Sequence, residues 1–77
     1  MPPKLKKLIE TCGDIEFSVN GTMYTIVTWP ADGICITPQN ADDEQVSQSA
    51  DELLDGYLIA GVPLRDLEDQ TVIRFYH

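Results

Sequence analysis

The sequence predicts an α+β fold, in which short helices cover one face of an antiparallel sheet. Three observations predict it: an apolar stripe at helical spacing near the start, a hairpin signal that continues into a third strand, and a helix-capping motif at residue 49. With 77 residues, the chain is long enough for one hydrophobic core and too short for two. Residues 1–77 are therefore expected to form a single small domain.

The first predicted element is a helix over residues 3–11, which follows Pro2 and is ended by Gly13. Its apolar residues recur at i, i+3, i+4 and i+7: Leu5, Leu8, Ile9 and Cys12. Lysines at positions 4, 6 and 7 lie in the first turns, where the helix dipole disfavours cations. The helix is therefore expected to depend on packing of its apolar stripe.

Alternating apolar residues on both sides of Asn20-Gly21 predict a β-hairpin. This dipeptide supplies the two positive φ angles of a type I′ turn. A two-residue loop fixes three cross-strand pairs on one face: Val19 with Thr22, Phe17 with Tyr24, and Ile15 with Ile26. The opposite face then carries Glu16, Ser18, Met23, Thr25, Val27 and Trp29.

The segment 29–33 contains proline and Asp-Gly, which predicts a turn into a third strand at residues 34–37. The expected pairs in this strand are Thr28 with Ile34 and Ile26 with Ile36. A three-stranded meander with one apolar face for helix 1 to cover would result. Residues 38–44 are predicted to be a polar loop.

Ser49 and Glu52 match a capping box. In this motif the Ser49 hydroxyl accepts from the Glu52 amide, and the Glu52 carboxylate accepts from the Ser49 amide. A second helix is therefore predicted from Ser49 to Gly56. The segment 57–62 is ambiguous between a strand and an irregular connector.

Pro63 is suited to the first position of a short helical turn that includes Leu64, Leu67 and Glu68. Residues 71–76 are rich in β-branched and aromatic side chains, which predicts a fourth strand or an edge strand. The predicted order is thus a helix, three strands, short helices and a C-terminal strand.

Acidic residues dominate the second half of the chain. The formal net charge is −8, and nine of the thirteen acidic residues lie in segment 42–69, where Arg65 is the only basic residue. Such a chain repels nucleic-acid phosphates, and its scattered glycines form neither GxGxxG nor GxxxxGK[ST]. We expect no direct nucleic-acid binding and no nucleotide-binding loop.

The residues that carry most enzyme chemistry are scarce. The single histidine, His77, is the last residue, and Cys12 and Cys35 lack the paired CxxC spacing of zinc sites. Carboxylates at 42–44 and 51–55 invite a calcium hypothesis but lack the alternating ligands of an EF-hand. We therefore expect no catalytic residues, no metal site, no cofactor and no enzyme activity.

No stretch is apolar enough for a secretory signal or a membrane helix, so a cytoplasmic protein without membrane contact is expected. The two cysteines have apolar neighbours, which predicts buried reduced thiols. A disulfide between them stays open as an alternative.

Met23, Val27 and Trp29 share the hairpin face that points away from helix 1. The first interpretation is that the C-terminal half folds over this face and buries them. Otherwise, a patch of this kind rimmed by Glu16 has the composition of a protein-binding surface. An edge strand at 72–76 could also accept a partner strand. We expect a non-enzymatic module that binds a partner protein, with a homodimer as one option.

A second hypothesis makes the acidic half a phosphate mimic that inhibits a basic DNA- or RNA-binding protein, as small phage-encoded inhibitors do. Its surface would consist of Asp42, Asp43, Glu44, Asp51, Glu52 and Asp55. Salt separates the two hypotheses, because charge-dominated association weakens steeply with ionic strength.

The segments FSVNGTMYTI and SADELLDGYLIAGVPLRDL, within residues 15–69, resemble small uncharacterised proteins of Gram-positive bacteria and their phages. In that group, a DELLD element with following I, G and L positions comes after a β-meander. The resemblance implies an α+β fold without assigned activity, and it transfers no active-site residue.

Overall fold

The computed structural model describes residues 5–77, which form a helical layer packed on a sheet. The helical elements are α1 (Leu5–Thr11), α2 (Ala50–Gly56) and a 3₁₀ helix (Leu64–Gln70). The strands are β1 (Asp14–Val19), β2 (Thr22–Trp29), β3 (Gly33–Pro38), β4 (Gln45–Ser47), β5 (Leu58–Ile59), β6 (Val62–Pro63) and β7 (Val72–Tyr76). The predicted α+β class, meander and C-terminal strand are confirmed.

Helix α1 presents the predicted apolar stripe to the core. Leu5 and Ile9 are buried, while Leu8 and Cys12 pack against the core from partly exposed positions. Because α1 has only seven residues, its stability must come from this packing. The predicted start of the helix at Pro3 lies outside the described residues.

The β1–β2 hairpin forms in the predicted register. Asn20 and Gly21 have φ angles of 53° and 81°, as a type I′ turn requires. The pairs include Val19 with Thr22, Phe17 with Tyr24, and Ile15 with Ile26. The turn therefore decides which side chains of both strands face the helices.

Strand β3 completes the meander and is one residue longer at each end than predicted. It pairs with β2 as expected, with Thr28 opposite Ile34 and Ile26 opposite Ile36. Gly33, at its start, has a φ of 110°, and a Cβ there would lie 2.6 Å from the Ser47 carbonyl oxygen. Glycine is needed at this position because the next strand passes so close to the turn.

Two further strands widen the meander into a five-stranded sheet of order β4-β3-β2-β1-β7. The sequence analysis does not predict β4, whose Val46 lies opposite Cys35 of β3. Strand β7 pairs antiparallel with β1 at the other edge, which confirms the predicted edge strand. Its register shifts by a bulge between Glu16 and Phe17 of β1.

Helix α2 begins with the predicted N-cap. The Ser49 hydroxyl accepts a hydrogen bond from the Glu52 amide at 3.1 Å. The other half of the predicted capping box is wrong, because the Glu52 carboxylate accepts from the Gln48 amide and not from that of Ser49. Gln48 is the first residue after β4, so its amide is not part of the hydrogen bonding between strands and is available to this carboxylate.

The ambiguous segment after α2 is a small hairpin of strands β5 and β6. Its two-residue turn has positive φ at Ala60 and Gly61, 53° and 83°. Pro63 is not the first residue of the following helix, as the sequence analysis expects. It ends β6 with an extended ψ of 142°, and the 3₁₀ helix begins at Leu64.

The hydrophobic core lies between the helices and one face of the sheet. Helix α2 contributes Leu53 and Leu54, and the 3₁₀ helix contributes Leu64 and Leu67. The sheet contributes side chains from β1, β2 and β3: Ile15, Phe17, Val19, Tyr24, Ile26, Ile34 and Ile36. All helical elements therefore cover the same face, as predicted.

Candidate functional site

The face of the sheet that points away from the helices is the candidate site, and we call it the open face. The strand register places on it this set of side chains: Asp14, Glu16, Ser18, Met23, Thr25, Val27, Trp29, Cys35, Thr37, Val46, Val72 and Phe75. Strand spacing and rise give this face a footprint of about 20 Å on each side. Five strands thus contribute to one surface.

The open face exposes large apolar side chains. Trp29 is 53% exposed, Phe75 50%, Val72 49% and Val46 48%. Scattered exposed apolar residues are ordinary on protein surfaces, but a contiguous patch rimmed by polar groups is typical of interaction sites.

The interpretation that the C-terminal half buries this face is wrong. Met23 and Val27 are only partly buried, and Trp29 is exposed. The reason is that α2 and the 3₁₀ helix carry their leucines to the core beside α1. The last strand extends the sheet sideways from β1 and covers neither face.

Sequence reasoning placed the residues of β1 and β2 on this face and missed those of the two edge strands, β4 and β7. Val46 belongs to a strand that has no sequence signal, and Val72 and Phe75 belong to a strand whose neighbour is distant in sequence. Simple alternation within 71–76 would place Val72 and Phe75 on opposite faces, and only the register shift beside Glu16 brings both to the open face.

Strand β1 places two carboxylates on the open face, and the first, Asp14, is exposed and lies opposite Val27. Glu16 is the more central of the two. It lies opposite Thr25 on one side and Phe75 on the other, and it is partly buried. Its side chain forms no hydrogen bond or ion pair with any of residues 5–77. Arg74 of the neighbouring strand β7 donates from Nε to Ser18 Oγ at 3.3 Å.

Cys35 lies on the open face but is itself 7% exposed. Burial raises the pKa of its thiol, and the Glu44 and Asp32 carboxylates raise that pKa further. Both cysteines are free, and Cys12 is only partly buried, in contrast to the expectation that both are buried. Cys12 follows the last residue of α1, in the short connection to β1, and therefore remains at the rim of the core.

The six carboxylates of the mimic hypothesis fall into two groups. Asp51 and Asp55 accept from Arg65, at 2.9 and 2.5 Å, and Asp51 also pairs with Lys6 at 3.2 Å. These hydrogen bonds, from Arg65 first and then Lys6, lower the pKa of Asp51. The third carboxylate, that of Glu52, accepts a hydrogen bond from the Gln48 amide at the start of α2. All three side chains therefore make their contacts in or beside the helical layer.

The other group, Asp42, Asp43 and Glu44, lies in the loop between β3 and β4. All three residues are exposed, and none forms an ion pair with a basic residue of the described chain. The structure therefore leaves half of the proposed mimic surface without a positive partner.

A groove of about 420 Å³ lies between the end of α1, the β2–β3 turn and the start of α2. Glu10 is the single ionisable residue among those that line it in the described part of the chain.

Among the described residues, no group of three or more histidine, cysteine or acidic side chains could hold a metal ion. None of the helices within residues 5–77 combines the length and apolar content that a membrane-spanning segment needs. No protein-family model, curated protein or solved structure matches this chain. The fold and the open face are therefore the basis for a functional proposal.

Proposed function

We propose that this protein is a small, acidic, non-enzymatic module that binds another protein through the open face of its sheet, without a cofactor. The observation that carries the proposal is the one-sided placement of the helices, with Trp29 and three other large apolar side chains exposed on the opposite face. A cytoplasmic site of action is part of the proposal, and the free thiols support a reducing compartment.

The energetics of the face favour docking. Removing one large apolar side chain from water is worth about 1.5–3 kcal/mol. Trp29 is the strongest candidate anchor, because interface energy concentrates in tryptophan, tyrosine and arginine near the centre of contacts. The partly buried Met23 and Val27 lie on the same strand and would extend the contact.

The test compares Trp29→Ala with Leu58→Ala, using partner protein isolated on the wild-type chain from host-cell extract. Leu58 is 56% exposed, like Trp29, but belongs to the β5–β6 hairpin. We expect Trp29→Ala to weaken binding about tenfold or more and Leu58→Ala to leave it within about twofold. Circular dichroism would verify that both variants fold. Equal effects of the two changes would contradict the proposal.

The homodimer option is tested by analytical ultracentrifugation of the pure protein at several salt concentrations. Two copies each carry a charge of −8, so like-charge repulsion opposes their approach at low salt. A dimer that Trp29→Ala dissociates would identify a second copy as the partner, while a monomer at all concentrations would direct the search to other proteins.

The phosphate mimic remains the competing proposal. It is supported by Asp42, Asp43 and Glu44, and it is weakened by the ion pairs of Asp51 and Asp55 with Arg65. A mimic needs carboxylates that are available to a basic partner, so this division favours the open face.

Two triple variants separate the competing proposals. The first changes Asp42, Asp43 and Glu44 to the amides, and the control changes Glu10, Asp32 and Asp66, which are also exposed, by the same net charge. Loss of partner binding in the first variant alone, with a steep decrease of affinity as salt rises, would establish mimicry. Retained binding in both variants would exclude it.

A further inference from the structure

We infer that the partner of the open face carries an arginine or lysine set among apolar side chains, and that this cation pairs with Glu16. The inference rests on the proposed function, because it specifies the chemistry of the protein that the open face would bind. It is carried by the position of Glu16, a partly buried carboxylate that pairs with none of residues 5–77 and lies between Thr25 and Phe75, with Asp14 beside it on the same face of β1.

The surroundings of Glu16 place it where a docked partner would cover it. Thr25 and Phe75 flank it across the strands. On the neighbouring strand β2, Val27 and Met23 lie one row to either side. A partner that contacts both ends of this patch cannot avoid the carboxylate between them.

Covering Glu16 with an apolar surface would be unfavourable. An ionised carboxylate that loses water without gaining a cation carries a large desolvation penalty. Within residues 5–77 nothing neutralises Glu16, and Arg74 donates to Ser18. We therefore assign the compensating charge to the partner, where a guanidinium can form directed hydrogen bonds to the carboxylate.

The overall charge points to the same occupant. A chain of net charge −8 attracts basic proteins over a distance and repels acidic ones. A second copy seated on the open face would bring its own Glu16 and the same net charge. The observations therefore favour a basic heterologous partner over self-association at this face.

The probe is a short amphipathic helical peptide with leucines on one side and arginines beside them, compared with the same peptide containing citrulline. Citrulline keeps the shape of arginine and removes its charge. Affinities for both peptides are measured with wild type, Glu16→Gln and the control Asp66→Asn, which removes the same charge from an exposed site on the 3₁₀ helix. Amide shifts in NMR spectra locate the bound peptide.

We expect the wild type to prefer the arginine peptide, and Glu16→Gln to reduce that preference about tenfold, as for a charge-assisted hydrogen bond. Asp66→Asn should change the preference by less than about twofold, because it alters only the general field. Glu16→Arg should reverse the preference, binding a glutamate version of the peptide better than the arginine version.

Three outcomes decide the matter. Equal reductions in Glu16→Gln and Asp66→Asn would overturn the inference, since the preference would then reflect net charge alone. Equal binding of both peptides at the open face, weakened by Trp29→Ala, would overturn it while supporting the proposed function. Peptide shifts confined to the helical side, unaffected by Trp29→Ala, would contradict both.

Discussion

The two faces of the sheet differ although they are built from the same strands. Ile26 faces the helices and is fully buried, while the next residue, Val27, faces away and is only partly buried. The helix face is almost wholly apolar, whereas the open face mixes apolar residues with threonine, serine and the carboxylates of Asp14 and Glu16. The helix face supplies the core packing that stabilises the fold, and the open face lies outside that core.

This division explains how so small a chain can expose a tryptophan. A domain of 77 residues buries a limited fraction of its surface, so it needs a continuous core on at least one side. The helices and the inward-facing residues of three strands supply that core. Stability therefore places little constraint on Trp29.

The comparison is tested most strongly by paired substitutions on β2. Ile26→Ala should lower the free energy of unfolding by about 4 kcal/mol, because it leaves a cavity in the core. Val27→Ala, one residue further, should cost about 1 kcal/mol or less. Urea unfolding followed by circular dichroism measures both. If Ile26→Ala fails to fold, Ile26→Val replaces it, with an expected loss of about 1 kcal/mol. Similar losses of unfolding free energy for Ile26→Ala and Val27→Ala would show that the two faces do not differ in their contribution to stability.

A smaller effect is expected at the start of α2. Ser49→Ala removes the acceptor for the Glu52 amide and should lower the free energy of unfolding by about 1 kcal/mol. Binding through the open face should not change, because α2 lies on the other side of the sheet. Thermal unfolding and a binding assay on the same sample test both statements. Weaker partner binding by Ser49→Ala than by wild type would contradict this expectation, because it would show that α2 and the open face are energetically coupled.

Acid should weaken the helical layer through Asp51. Arg65 and Lys6 lower its folded pKa below the ordinary 3.8, so its stabilisation is present above that value and is lost as the pH falls through the folded pKa. Urea unfolding from neutral to acidic pH should show a shallower acid decline for Asp51→Asn than for wild type. Asp66→Asn, an exposed carboxylate without an ion pair in the described chain, should keep the wild-type slope.

The smallest expected change concerns the thiols and leaves stability untouched. Cys35 is buried and its pKa is raised, so in the folded protein it should react with a thiol reagent at least about tenfold more slowly than Cys12. Cys12→Ser and Cys35→Ser assign the two rates. Faster labelling of Cys35 than of Cys12 would show that the Cys35 thiol is more accessible in solution than its burial in the structure indicates.

Local chemistry made the meander predictable. Asn20-Gly21 fixes the register of β1 and β2 by itself, and the turn before Gly33 continues it into β3. The N-cap at Ser49 is equally local. These features depend on residues a few positions apart, so no knowledge of the tertiary structure was needed.

The remainder depends on contacts between distant residues. The three residues of β4 have no strand pattern, and they become a strand because β3 offers them a free edge. The packing of the C-terminal half beside α1, and not over Trp29, is likewise a tertiary result, and it reversed the burial expected for Trp29. The candidate site was therefore predictable on β1 and β2 and not on β4 or β7.

The position of the single tryptophan gives this molecule a built-in optical reporter. No other indole exists in the sequence, and Trp29 stands in water on the open face. Its emission should shift to shorter wavelength when that face is occupied, and also when a ligand fills the groove that Trp29 lines beside α1 and α2. Ligands elsewhere on the helices should leave the emission unchanged. Occupancy can thus be followed without attaching a dye to so small a protein.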